Sequence, residues 1–235
     1  MRKEPNYLFL MLSLLISVVL VTSAAPRSRL GIVGVLIAAL SLVVTAYTLI
    51  NRRRPLLLAV LLGAAAFLPF AWFSLHPEAL APHWALGIYT LTLGFWLLFT
   101  FYIGLIIFRG IMTARRIRNN EIYGAISVYL LIGVLFAEVY LLLLAWQPSA
   151  LYFDPGRFAA PQIIGDRLYT RSVGDILYYS FVTLGTVGYG DVTPSAPIAR
   201  SLSLIEAVIG IMYVATMIAR FVSIQISSES RGAEP

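Results

Sequence analysis

The residues of this chain whose types and spacing suit chemistry best are Thr186-Val187-Gly188-Tyr189-Gly190-Asp191. The chemistry they suit is coordination by main-chain oxygen. A strip of backbone carbonyls replaces the water around a cation only if successive carbonyls point to one side. That needs backbone alternating between right- and left-handed conformations, and the left-handed positions are cheap only for glycine. Gly188 and Gly190 stand two apart, the interval such an alternation wants. Val187 and Tyr189 then point away from the ion path and pack as a cuff, while the Thr186 hydroxyl adds oxygen at the inner mouth. The plain alternative is a glycine-rich turn between strands, and no strand pattern flanks the motif to support it.

The element that must position this strip is directly upstream. Ser172-Val173-Gly174-Asp175 has capping-box form, with Ser172 as N-cap and Asp175 set to reach back to the free amides. The helix Val173–Gly185 that follows is too short to cross a bilayer, so it must enter the membrane and hand over to the strip. Its carboxyl end aims the negative end of the helix dipole at a central cavity, which favours a cation there. Exposed backbone at membrane depth is acceptable only where protein buries it or ions occupy it.

Composition places the whole chain in a membrane. Of 235 residues, 60% are hydrophobic and 12% charged, with a mean hydropathy of +0.86. Apolar runs follow one another at Tyr7–Ala25, Leu30–Ile50, Pro55–Phe73, Trp84–Phe108, Ile122–Trp146 and Ile198–Val222. Each is long enough to cross a hydrocarbon core of about 30 Å at about 1.5 Å per residue. Six crossings leave no room for a sizeable soluble domain. With no cysteine, disulfides and thiolate metal sites are excluded.

The net charge of +6 would suggest nucleic acid in a soluble protein. Here the cations sit in separate short loops, which makes nucleic acid the weaker reading and membrane topology the stronger. An inside set of Arg2, Lys3, Arg52, Arg53, Arg54, Arg109, Arg115, Arg116, Arg118, Arg220 and Arg231 stands against Arg27, Arg29, Arg157, Arg167, Arg171 and Arg200 outside. This bias predicts both termini in the cytoplasm, a plasma-membrane location and the strip facing outward. Arg2, Lys3, the first apolar run and Thr22-Ser23-Ala24-Ala25 also fit a cleaved signal peptide. The run is slightly long for that, and a retained helix is the preferred reading.

The chain divides at the basic stretch 109–121. Residues 1–108 form a four-helix membrane domain joined by tight hairpin turns at Pro26–Arg29 and Asn51–Arg54. Residues 122–228 form a second unit: an outer helix 122–146, a turret 147–171 turning at Asp154-Pro155-Gly156, a pore helix 172–185, the strip 186–190 and an inner helix 198–222. A tail of 229–235 follows. Pro69 is expected to kink the third span.

The second unit resembles the tetrameric potassium-channel superfamily, through its helix–pore helix–T-V-G-Y-G-D–helix order from Ile122 to about Ser228. The resemblance implies an all-α membrane protein assembled as a homotetramer, because one strip supplies a quarter of a carbonyl cage. A single strip per chain argues against two-pore-domain channels and Trk-type transporters. By the same resemblance the carbonyls of Thr186, Val187, Gly188 and Tyr189 hold K⁺, and Asp191 hydrogen-bonds a pore-helix residue. That partner is expected to be Tyr179, standing where relatives carry tryptophan. Val182 occupies the place of a glutamate found in some bacterial channels, Thr183 lies with it behind the filter, and Gly185 departs from a common threonine. These departures leave K⁺ selectivity expected and alter slow closure at the outer mouth.

In the inner helix, Gly210 matches a hinge glycine; packing against a neighbouring helix is the alternative. Val214, Ile218 and Val222 fall four apart on one face, and rings of such residues could close a pore by dewetting. Packing against lipid or another helix would explain them equally. Glu138 and Glu206 are carboxylates inside spans, which are functional hypotheses by default. Glu206, with Glu138 or a pore-helix hydroxyl, is read as bracing the back of the filter and making gating pH-sensitive; a carboxylate that only staples helices together is the alternative.

Six spans with one pore segment suggest a voltage sensor, but the spans Leu30–Ile50, Pro55–Phe73 and Trp84–Phe108 contain no charged residue. Each sensor arginine would contribute about 2.3 kcal/mol per 100 mV across the full field. Arg115 and Arg118 have sensor spacing but lie beyond the membrane end. With Arg52, Arg53, Arg54 and Arg116 they are placed against anionic headgroups. His76, Glu78 and His83 share one external loop, where solvated polar residues are a plainer reading than a proton or metal sensor. Trp72, Trp84 and Trp146 fit an outer aromatic belt.

The expectation is therefore a K⁺-selective, non-enzymatic channel that is not voltage-gated, with K⁺ as the permeant ion and no organic cofactor. A non-conducting subunit with a pore-like fold, or a weakly selective cation channel, are the alternatives.

Overall fold

The computed structural model of the chain describes residues 6–23, 33, 36–37, 39–40, 42–44, 53–75, 82–114, 118–159, 162–164, 168–170 and 172–232. Helices dominate: α1 (Tyr7–Ser23), α2 (Arg53–Leu75), α3 (Pro82–Thr113), α4 (Asn119–Trp146), the short α5 (Val173–Leu184) and α6 (Pro197–Gly232). The described residues of the second apolar run are helical too. This follows from their solvent: a chain in lipid must satisfy its own backbone, and a helix does so within one segment.

Among the described residues, three helices are long and apolar enough to cross a membrane, over Leu86–Thr113, Asn119–Trp146 and Pro197–Ile226. The third apolar run is helical from Arg53 to Leu75, with Pro69 inside. Two elements run longer than their hydrophobic stretches suggest. Helix α3 continues to Thr113 and takes Arg109 with it, so the basic stretch shrinks to the few residues before Asn119. Helix α6 runs unbroken from Pro197 past Val222 and through Gly210.

The chain is mostly helical, as expected, with small additions in the segment read as a turret and just after the strip. Among the described residues four strands of three residues appear: β1 (Leu151–Phe153), β2 (Gln162–Ile164), β3 (Leu168–Thr170) and β4 (Val192–Pro194). β2 and β3 form a hairpin. β1 pairs antiparallel with β4, with Leu151 opposite Pro194 and Phe153 opposite Val192. Strands this short carry too few residues to show a period of two. The pairing ties the chain just after α4 to the chain just after the T-V-G-Y-G strip, and Leu151, Phe153 and Val192 are all buried.

Two apolar clusters hold the helices together. One joins α1, α3 and α4 through Tyr7, Leu10, Leu14, Phe99, Ile103, Ile107, Ile111 and Leu131, and takes in Met217 of α6. The other surrounds α5, through Val21, Ala137, Tyr140, Leu144, Ile176, Tyr179 and Ala199. Helix α1 therefore packs on the pore helix. At Gly174 an added Cβ would lie 2.4 Å from the carbonyl oxygen of Val21, so only glycine fits that crossing. In contrast, α6 leaves Leu204, Ile205, Val208, Ile211 and Met212 largely exposed on the isolated chain.

Candidate ion-coordinating site

Helix α5 is built to stop at the strip. Ser172 caps it, its hydroxyl accepting from the Gly174 amide at 3.2 Å. At the other end Gly185 is the C-cap, its amide donating to the Phe181 carbonyl at 2.9 Å. The next amides stay tied to the helix: Thr186 donates to the Thr183 carbonyl at 3.0 Å, and Val187 to the Val182 carbonyl at 2.9 Å. The last turn of the helix thus fixes the first residues of the strip, leaving their carbonyls available.

Three residues of the described chain have positive φ: Thr186 at 55°, Gly188 at 60° and Gly190 at 80°. They occupy every second position, with Val187 and Tyr189 between them. The glycines account for two of these positions. Thr186 is the third, and a left-handed non-glycine residue costs about 1–2 kcal/mol. The amide bonds from Thr186 and Val187 into the helix end hold it there. An alternation of this kind turns successive carbonyls to a common side, the arrangement a dehydrated monovalent cation requires.

The intervening side chains are open on the isolated chain, Val187 at 54% and Tyr189 at 66% exposure. The Tyr189 ring lies parallel to that of Tyr178, with centroids 6.3 Å apart. Within one chain Tyr189 thus has one ring partner, and the rest of its surface and that of Val187 is bare.

Asp191, directly after the strip, accepts a hydrogen bond from the pore helix, but from a different tyrosine than expected. The donor is Tyr178, whose hydroxyl lies 2.7 Å from Asp191 Oδ2. The hydroxyl of Tyr179 turns instead to Ser203 Oγ of α6, at 2.6 Å. Adjacent residues of a helix point about 100° apart, so only one of the two can face the outer mouth. The Tyr178 phenol is the donor and the Asp191 carboxylate the acceptor. Arg157 also approaches Asp191 Oδ2, at 3.8 Å, from the turn after β1, and the Asp154 amide donates to the Asp191 carbonyl at 3.0 Å.

Between α4, α5 and α6 lies a polar cluster of completely buried groups. Glu206 of α6 accepts from Ser180 of α5 through Oε1 and from Tyr140 of α4 through Oε2, the latter at 2.8 Å. Ser180 is also placed 2.7 Å from the Gly133 carbonyl of α4. One carboxylate therefore joins α4, α5 and α6. Of the two partners expected for Glu206, the structure supplies the hydroxyl from α5, that of Ser180, and not Glu138; nothing in the sequence marked Tyr140 as the second donor. Glu138 is elsewhere: its Oε1 accepts from Thr100 of α3 at 2.9 Å, and its Oε2 has no hydrogen-bond partner among the described residues.

Gly210 is a packing glycine in this structure. An added Cβ would lie 2.3 Å from the Leu184 carbonyl oxygen at the end of the pore helix. Val214, Ile218 and Val222 are exposed on the isolated chain at 44%, 59% and 52%. Val182 and Thr183 lend their carbonyls to the strip's amides. Of the basic residues assigned to headgroups, Arg118 precedes α4 and its amide donates to Glu121. Arg53 and Arg54 lie in the first turn of α2, while Arg52, Arg115 and Arg116 fall outside the described residues, as do His76 and Glu78.

Residues 125–226 match the family described as ion channel. Among curated proteins, the two pore potassium channel c of Oryza sativa subsp. japonica is 37% identical over 92 residues, covering 37% of this chain and 18% of that protein. The chain thus spans less than a fifth of that relative's length, and it carries the T-V-G-Y-G string once. No solved structure matches it.

Proposed function

We propose that this chain, a relative of the potassium-channel superfamily through residues 125–226, is a membrane channel that conducts K⁺ passively and selectively. The observation that carries this reading is the left-handed placement of Thr186, Gly188 and Gly190 within T-V-G-Y-G. Carbonyls of Thr186, Val187, Gly188 and Tyr189 are the ion ligands; no side-chain acid–base chemistry is needed, and the activity is not enzymatic.

One strip encloses a quarter of an ion, so the working unit is a homotetramer around the strip. The bare outer faces of Val187 and Tyr189 and the uncovered apolar surface of α6 support that assembly. In it, Val214, Ile218 and Val222 line the inner mouth. The arginine distribution supports an outward-facing filter, cytoplasmic termini and contact of the basic stretch with anionic headgroups. Arg109 is the one charge in α3, at its inner end, which argues against a moving arginine sensor.

Reversal potentials of the purified protein in planar bilayers test selectivity. In a K⁺/Na⁺ gradient the potential should track K⁺; a potential between those of the two ions would mean a weakly selective pore. Native mass spectrometry in detergent should give four chains per particle.

A further inference from the structure

The inner end of α6 is gripped by the end of α3, and the grip is one side chain. Arg220 directs its Nη2 at three carbonyl oxygens, those of Ile111 at 3.5 Å, Met112, and Ala114 at 3.4 Å. These belong to the last turn of α3 and the residue after it. The last carbonyls of a helix have no partner within it, and they carry the negative end of its dipole. A guanidinium answers both needs. No carboxylate pairs with Arg220 among the described residues, and its Nε is buried without a partner there. Among the described residues the charge is held by backbone oxygens alone.

The placement of Arg220 on its own helix gives the contact a use. At about 100° per residue, Arg220 lies about 160° around α6 from Ile218 and from Val222. One face carries Tyr213, Met217, Arg220 and Phe221. Tyr213 donates to the Ala125 carbonyl at 2.8 Å, and Met217 is buried against the cluster containing Ile107 and Ile111. A second face, turned about 115° from the first, carries Val214, Ile218 and Val222, all exposed. Displacing that face sideways must either drag the end of α3 or break the grip.

We infer that Arg220 is a positioning residue that locks the inner end of α6 to the carboxyl end of α3, so that the N-terminal helices set the spread of the inner mouth. The inference rests on the tetrameric channel reading above. It gives α3 a role in opening that requires no charge moving through the membrane field.

The chain has no cysteine, so single introduced cysteines can be labelled cleanly. The test uses full-length protein in liposomes, with spin labels at Ala114→Cys or Val222→Cys, each alone and combined with Arg220→Met or Arg220→Lys. Arg220→Met should free the label at 114 and shift the inter-subunit distances at 222; Arg220→Lys, which keeps a cation for the carbonyls, should stay near the parent. Open probability should change several-fold in Arg220→Met at unaltered unitary conductance. Unchanged spectra at both positions would overturn the lock. A freed label at 114 with unchanged distances at 222 would overturn the link to the mouth. A silent parent channel whose labels respond as expected would count against conduction and leave the lock standing.

Discussion

Ser180 and Glu206 share a hydrogen bond sealed from solvent, joining α5 to α6. Tyr140 completes the contact from α4, so three helices meet at one carboxylate. Groups this buried are expensive to leave unpaired.

Glu206→Gln therefore disturbs more than a charge. The amide offers one acceptor oxygen where two are used, leaving Ser180 or Tyr140 unmatched. A loss of about 1–3 kcal/mol is expected from one unsatisfied buried group, seen as a lower Tm of the assembled protein. If Glu206 also sets gating, the variant's flux–pH curve flattens. A variant with parental Tm would dismiss the brace; a lowered Tm with an unchanged pH curve would leave it a staple.

Tyr178→Phe removes the donor to Asp191 without altering the ring that stacks on Tyr189. Faster decline of current at the outer mouth is expected, with unitary conductance intact. Decline at the parental rate in the Phe variant would show that Arg157 and the β1–β4 pairing suffice.

Gly210→Ala should damage assembly rather than bending. Its Cβ falls 2.3 Å from the Leu184 carbonyl oxygen, a backbone atom that cannot step aside by changing rotamer. Overpacking of this sort typically costs about 1–3 kcal/mol. Thermal stability of the detergent-solubilised protein is the measure. Parental stability together with altered opening would restore the hinge reading.

Much of the pore unit was legible because its physics is local. A capping serine, a short apolar helix and two glycines at an interval of two are each read from neighbouring residues. The partners across the fold were not. Tyr178 and Tyr179 are chemically alike, and choosing between them needs the rotation of α5 about its axis, which burial of its Ile176 and Leu177 in the cluster with Tyr140 and Leu144 fixes. Strands of three residues, as in β1 and β4, have no period to detect; their pairing depends on both ends of the pore helix being anchored first. The left-handed backbone of Thr186 was not legible, because only glycine marks such a position in a sequence. Arg220 looked like one more cytoplasmic cation, since nothing near it in sequence marks the end of α3 as its partner.

The central claim is that the alternating strip is a K⁺ filter, and ion flux tests it most directly. The protein would be placed in liposomes loaded with K⁺ and the flux followed with K⁺ or Na⁺ outside, beside Gly188→Ala. Alanine at a φ of 60° strains the strip by about 1–2 kcal/mol in each copy. The account predicts flux for K⁺ and none for Na⁺, abolished by the substitution. Equal flux of both ions, or K⁺ flux that survives in Gly188→Ala, would contradict it.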